Sequence, residues 1–439
     1  MGKLSDYMGL LGALGNQGFV VDVQRCVSVR NPKVACGACA EACVSGCIQR
    51  EGRDLAVETD RCIGCGCCAT ACPTGAIALT NPSDDEVLDE MRAVADHNEG
   101  TVVVSCATML ERVGDRVDPD AVVKVACLGR LDEAALLAMA AEGVRDIVLV
   151  ADECEACPHA KGLRTVASVV ACAKSLLDAW QAPCAVKLAH KFPRRCAAQA
   201  GARYDLQRRE FLLGMRGAAE GSARQAAQFV VEQKLGAGEE KPQFEHVTED
   251  GTLPHGVSRR RYRLLEALRD LGQPQDMAVK GRLWHRVSID EQRCTGCQMC
   301  AVFCPSGALA KHQEVDEEAM GACAKLFRAP GNPRAGSEAP KTPQKVLYKR
   351  HKGSSASSSL ATGTLVELRF APGLCLGCDS CQQLCPTGAL RREEGVAAPD
   401  ILRGYVQSIP LKDIFRDKGG PDAIRNSMSK LIDSPYLWG

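Results

Sequence analysis

The sequence predicts two small α+β modules rich in cysteine, flanking an α/β domain built on a parallel sheet. One observation is an internal repeat. CIGCGCCATACPTGAI at 62–77, CTGCQMCAVFCPSGAL at 294–309 and CLGCDSCQQLCPTGAL at 375–390 are copies of one motif, and CGACAEACVSGCI at 36–48 is a degenerate fourth. The copies fall into two pairs, each with strand-like flanks: FVVDV and LAVET in the first, WHRVSI and LVELRF in the second. The other observation lies between the pairs. There the apolar runs TVVVSC, VVKVAC, DIVLVAD and CAVKLAH alternate with the helix-like stretches LDEAALLAMAAEG and GLRTVASVVACAKSLLDAW, the pattern of parallel strands joined by helical crossovers.

Composition narrows the chemistry. The chain has 439 residues, enough to bury several cores, so it has no need of disulfides as staples. Its 26 cysteines therefore point to metal or redox chemistry in a reducing compartment. The 54 basic residues balance the 54 acidic ones, which excludes a global field drawing the protein to nucleic acid or to anionic membranes. No run of about eighteen apolar residues occurs. The first residues carry no cleavable-leader pattern, so the expected location is cytoplasmic, with no direct membrane insertion.

These features set the expected boundaries: an N-terminal module at 1–82, the α/β domain at 100–200, a helical connector at 201–281, a C-terminal module at 282–400 and a tail at 401–439. In the connector, 204–240 and 258–272 read as amphipathic helices rich in arginine. Within the C-terminal module, 328–363 is rich in Pro, Gly, Ser and Lys and is expected to be a flexible insertion.

The repeated motif is C-x2-C-x2-C-x3-C-P. Such a tight loop folds three thiolates around one iron–sulfur cube, with its backbone amides turned inward. The fourth cysteine is carried away from that loop. Zinc, the alternative, seldom takes four cysteines within eleven residues followed by proline. The three full motifs resemble the bacterial dicluster ferredoxin family, so the modules are expected to be ferredoxin-like. The resemblance implies crossed ligation, in which the last cysteine of each motif serves the neighbouring cube. The sets it implies are Cys26, Cys36, Cys39 and Cys72; Cys62, Cys65, Cys68 and Cys43; Cys294, Cys297, Cys300 and Cys385; and Cys375, Cys378, Cys381 and Cys304. Four [4Fe-4S] clusters follow. In the degenerate copy Cys26 lies a longer spacer away, Val44 replaces the proline, and Cys47 is a substitute ligand to consider.

The remaining cysteines divide. Cys47 and Cys67 align with Ala76 and Met299, positions that need only a small or apolar side chain, so both are read as packing. Cys172, Cys184 and Cys196 are read as buried thiols, and Cys323 receives no role. Cys106 and Cys127 each close an apolar run, and Cys154 and Cys157 follow a third. At the carboxyl edge of a parallel sheet these four can converge, and four thiolates suit a [2Fe-2S] cluster. The segment KVACLGRLDEAALLAMAAEGVRDIVLVADECEACPHAKG resembles the delta, iron–sulfur subunit of methyl-viologen-reducing hydrogenases, with Cys127, Gly129 and Arg130 matching its Cys-x-Gly-Arg. A fifth cluster and a cluster-free scaffold both stay open.

That second resemblance implies an electron-transfer subunit relaying electrons between protein redox partners in an oxidoreductase complex of hydrogenase, formate dehydrogenase or heterodisulfide-reductase type. No dinucleotide fingerprint, P-loop or nucleophile elbow is present, so no catalytic residue is assigned. The alternative is an oxidoreductase whose middle domain binds a flavin or small-molecule substrate. The basic stretches KFPRRC, LQRREFLLGMRG and SRRRYR lack interleaved aromatics for nucleic acid and are read as a face for an acidic protein partner. His159, beside Cys157, is read as an exposed loop histidine.

Overall fold

The computed structural model describes residues 19–198, 253–313 and 366–410, apart from 23, 52, 53, 59, 60, 153 and 254. The insertion at 328–363, the amphipathic stretch at 204–240, Cys323 and most of the tail lie outside the described residues.

The N-terminal module runs β1 (Phe19–Val21), α1 (Val27–Arg30), α2 (Ala38–Ala42), β2 (Ile48–Glu51), β3 (Asp54–Val57), α3 (Cys67–Ala71) and β4 (Ile77–Leu79). Strand β1 pairs antiparallel with β4, Phe19 opposite Leu79, and closes the module end to end. Strands β2 and β3 form a hairpin. Helices of four or five residues are too short to persist alone. They are held by the thiol loops they end and by a core of Phe19, Ile48, Val57, Ile77 and Leu79.

The middle domain follows as α4 (Asp84–His97), β5 (Thr101–Cys106), α5 (Ala107–Val113), β6 (Val123–Val125), α6 (Glu133–Ala141), β7 (Asp146–Val150), α7 (Lys161–Ala179) and β8 (Ala185–Ala189). Its four strands are parallel in the order β6-β5-β7-β8. Val102, Val103 and Val104 are buried, as a central strand covered on both faces requires. Helix α4 lies in the gap left between the expected boundaries at 82 and 100. It starts with a reciprocal capping box, Ser83 with Glu86, and buries Val87, Leu88, Met91 and Val94 against the sheet.

Beyond the middle domain come α8 (Arg259–Asp270), β9 (Ala278–Val279), β10 (His285–Ile289), α9 (Met299–Val302), β11 (Leu309–Gln313), β12 (Val366–Phe370), α10 (Ser380–Leu384), β13 (Leu390–Glu394), β14 (Val396–Ala397), α11 (Ala398–Leu402) and β15 (Gln407–Pro410). Strand β10 pairs antiparallel with β13, the same closure that β1 and β4 make. The chain divides into two units, 1–310 with 369–408 and 311–368 with 409–439. In the second unit the described residues are only the ends of β11, β12 and β15. All the described motif cysteines belong to the first.

Helix α8 packs as part of the middle core instead of bridging solvent. Leu264, Leu265 and Leu268 join Trp284, Val396 and Ile401 in the cluster around α6 and α7. Arg260, Arg261 and Arg263 are spent inside the unit, so of SRRRYR, read as a partner-binding face, only Arg259 and Tyr262 are exposed. Arg260 holds Asp84 through Nε and Nη2 at 2.6 and 2.7 Å and reaches Asp132 at 3.0 Å, while Arg259 and Arg263 pair with Asp85. Burial alone would raise the Asp84 carboxyl, but Arg260, Arg130 and Arg263 hold it below the usual carboxylate range.

Candidate metal centre

The repeat is legible in the backbone. In the three full motifs the residue two after the first cysteine, Gly64, Gly296 or Gly377, is left-handed, and so is the residue after the second, Gly66, Gln298 or Asp379. Three residues beyond the last cysteine stands another left-handed glycine in all four copies: Gly46, Gly75, Gly307 and Gly388, with φ between 60° and 72°. Between that glycine and the cysteine sits a hydroxyl, Ser45, Thr74, Ser306 or Thr387. It lies 3.6–3.8 Å from the sulfur of Cys43, Cys72, Cys304 or Cys385. The degenerate copy thus shares the exit geometry of the others, and Cys43 occupies the position of a last cysteine.

The thiols gather into sets that mix the two motifs of each module. Cys26, Cys36, Cys39 and Cys72 line one cavity with Phe19, Val27, Ile48 and Ile77. Burial pushes the Cys39 thiol up to about 12, and the nearby charges of Cys72, Cys26 and Cys36 add to it. Cys43, Cys62, Cys65 and Cys68 line a second cavity. Cys47 lines it too, its sulfur 3.4 Å from that of Cys43, so two thiols share the fourth place of this set. Contact with Cys47 pulls Cys62 down to about 7.

In the C-terminal module, burial raises Cys300 to about 12, with Cys297, Cys294 and Cys385 as its charged neighbours. Burial likewise raises Cys378 to about 12 and Cys381 well above its ordinary value, and both feel Cys304 and Cys375. Each of the last cysteines therefore stands with the other motif of its pair. Apolar cavities walled by four thiols, whose protons must leave before they bind metal, fit iron–sulfur cubes. Among the described residues no group of three or more His, Cys, Asp or Glu is set to hold a single metal ion.

The middle-domain thiols also approach one another. Burial raises Cys154 to about 11, helped by Cys106, Cys157 and Cys127. Cys106 ends β5, Cys127 opens the turn Leu128–Arg130 after β6, and Cys154 and Cys157 follow β7, all at the carboxyl edge of the sheet. The backbone N–H of His159 donates to the Cys157 sulfur at 3.4 Å, and the imidazole is half-buried instead of exposed. Cys172 and Cys196 are buried and Cys184 half-buried, away from these sets. Cys67 is buried in an apolar cluster, as a packing residue is expected to be, and its sulfur lies 4.0 Å from that of Cys127.

Residues 293–389 match the 4Fe-4S dicluster domain family, and residues 55–78 match the 4Fe-4S binding domain family. The chain carries ferredoxin-type 4Fe-4S domains. These matches cover the three full motifs and leave the degenerate copy and the middle domain outside. No curated protein and no solved structure matches the chain. Among the described residues no helix is long and apolar enough to cross a membrane.

Proposed function

We propose that the chain is a multi-cluster electron-transfer subunit, holding four [4Fe-4S] clusters on the crossed sets described above and a [2Fe-2S] cluster on Cys106, Cys127, Cys154 and Cys157. The observation that carries this reading is the mixing of motifs: in both modules the last cysteine of each motif sits with the three thiols of the other. Adjacency of the sets supports a relay. Cys65 and Cys67 pack with Cys127, Cys39 packs in one cluster with Cys68, and Cys36 and Cys378 pack around Val27, Val34 and Leu384. Cys381 feels the charge of Cys300. Every set thus has a neighbour.

The expected partners are protein subunits of a hydrogenase, formate dehydrogenase or heterodisulfide-reductase-like complex in a reducing, cytoplasmic setting. Anaerobic iron and sulfide analysis tests the reading. About sixteen irons answer to four cubes and about eighteen to the additional binuclear centre. About eight irons after full reconstitution, or a chain dominated by zinc, would sink it.

A second reading has one observation in its favour. A cavity of about 600 Å3, large enough for a cofactor-sized ligand, is lined by Lys161, Arg164 and Arg392, by Arg260 and Arg282 with their partners Asp132 and Glu133, and by Glu41. A flavin or small substrate carrying an anionic group would meet Lys161 and Arg164 there. A flavin absorption spectrum in the purified chain would favour that oxidoreductase.

A further inference from the structure

Cys67 is fully buried, belongs to none of the four-thiol sets above, and lies between two of them. It follows Cys65 and precedes Cys68 at the first turn of α3, and it packs in one apolar cluster with Val44, Cys65 and Cys127. Thr70, one helical turn on, donates to the Arg130 carbonyl at 2.7 Å. One face of α3 therefore rests on the turn Leu128–Arg130, and Cys-x-Gly-Arg is the platform it rests on.

The platform has been cleared for that approach. A Cβ at Gly129 would stand 2.5 Å from the Cys67 sulfur and 3.0 Å from the Gly162 carbonyl oxygen, and a Cβ at Gly162 would collide with the Cys127 sulfur. Arg130 leans over Gly66, the left-handed residue before α3, and anchors itself on the Pro82 carbonyl at 2.7 Å. Gly129 thus makes room for Cys67, and Gly162 for the Cys127 sulfur it faces.

We infer that Cys67 is a positioning residue that joins the N-terminal set of Cys62, Cys65 and Cys68 to the middle-domain set: its S–H donates to the Cys127 sulfur and holds the two sets in direct contact. The inference rests on the proposal that Cys127 helps to hold a binuclear cluster. A hydrogen bond to a ligand sulfur stabilises the more negative, reduced state of a cluster, so it raises the reduction potential.

The test uses the full chain, reconstituted anaerobically, with electron paramagnetic resonance and a redox titration. In the wild type, full reduction should show magnetic interaction between the binuclear signal and a cube. Cys67→Ala should move the midpoint of the binuclear centre to a more negative potential, and Cys67→Ser, which keeps a donor, should return it toward the wild-type value. A binuclear signal without magnetic interaction in the wild type overturns the inference even if Cys67→Ala fails to assemble. An unmoved midpoint in Cys67→Ala also overturns it, as does a Ser variant no different from Ala. A wild-type chain with about sixteen irons and no binuclear signal overturns the cluster assignment beneath it and the inference with it.

Discussion

Replacing Arg282 by methionine tests how the parts of this unit are joined. The guanidinium grips Glu133 twice, Nε to Oε1 at 2.8 Å and Nη2 to Oε2 at 2.6 Å, and its Nη1 donates to the Thr70 carbonyl at 2.7 Å. The Glu133 side chain is 2% exposed, so it depends on the arginine as its charge partner. Stranding a buried carboxylate costs about 3–5 kcal/mol. The orphaned Thr70 carbonyl adds about 1 kcal/mol. At about 1–2 °C per kcal/mol for a unit as large as 1–310 with 369–408, Arg282→Met should melt about 4–12 °C below the wild type. Circular dichroism on the anaerobic, cluster-loaded chain at one scan rate reads it. The double variant Arg282→Met/Glu133→Leu should recover most of the loss, since an apolar pair of similar volume can replace a buried ion pair at little cost. A single variant within about 1 kcal/mol of the wild type would refute the burial argument, and a double variant that falls as far as the single would show that the Glu133 charge is not what makes the single variant unstable.

Further outcomes follow from the same geometry. Cys385→Ser should perturb the paramagnetic signal of the set containing Cys294, Cys297 and Cys300; a change confined to the Cys375 set would make ligation local and remove the crossed arrangement. Gly129→Ala should cost about 1–3 kcal/mol through overpacking against Cys67, measured as a shift in the urea midpoint, and a neutral result would mean that α3 can withdraw from the turn. In the cluster-free chain, burial raises Cys39, Cys300 and Cys378 from 9.0 to about 12, so the native state holds these protons more tightly than the unfolded one. Their contribution to stability is complete below pH 9 and is lost as pH rises toward 12; a urea midpoint that climbs across that window would contradict the sign.

Much of this was legible because both signals are local. The C-x2-C-x2-C-x3-C-P spacing is fixed over a few residues, and the alternation of TVVVSC, VVKVAC, DIVLVAD and CAVKLAH with helical stretches marks the four parallel strands in order. Helix α4 was missed although Ser83 and Glu86 spell a capping box, because NPSDDE reads as the end of a module. The arginines of α8 were misread for a different reason. Their partners Asp84, Asp85 and Asp132 lie more than a hundred residues away, and an arginine-rich helix looks the same in sequence whether it faces solvent or buried carboxylates. Cys67, read as packing from its alignment with Met299, is indeed buried in an apolar cluster, but its contact with Cys127 comes from a segment that the alignment of motif copies does not carry.

Thiol loops carried on helices of five residues or fewer have many carbonyls and few internal bonds to fix them. In this chain cationic side chains from elsewhere fix those carbonyls: Lys161 on Cys43, Arg61 on Ser45, Arg282 on Thr70, Arg261 on Cys375, Arg392 on Gly377 and Arg293 on Thr387. Arg261 is itself buried, stacked 4.6 Å from the centre of the Trp284 ring, and burial lowers its guanidinium to about 10 while the Cys375 thiolate pulls it back up. A cation placed there compensates the negative charge that thiolate ligands bring into a low-dielectric core, and it positions the loop through the same hydrogen bond. Arg261 and Arg282 are thereby turned inward, while Arg61, Arg293 and Arg392 reach their carbonyls from the surface. Lysine would serve less well at Arg282, where one planar fork must satisfy a carboxylate and a carbonyl together.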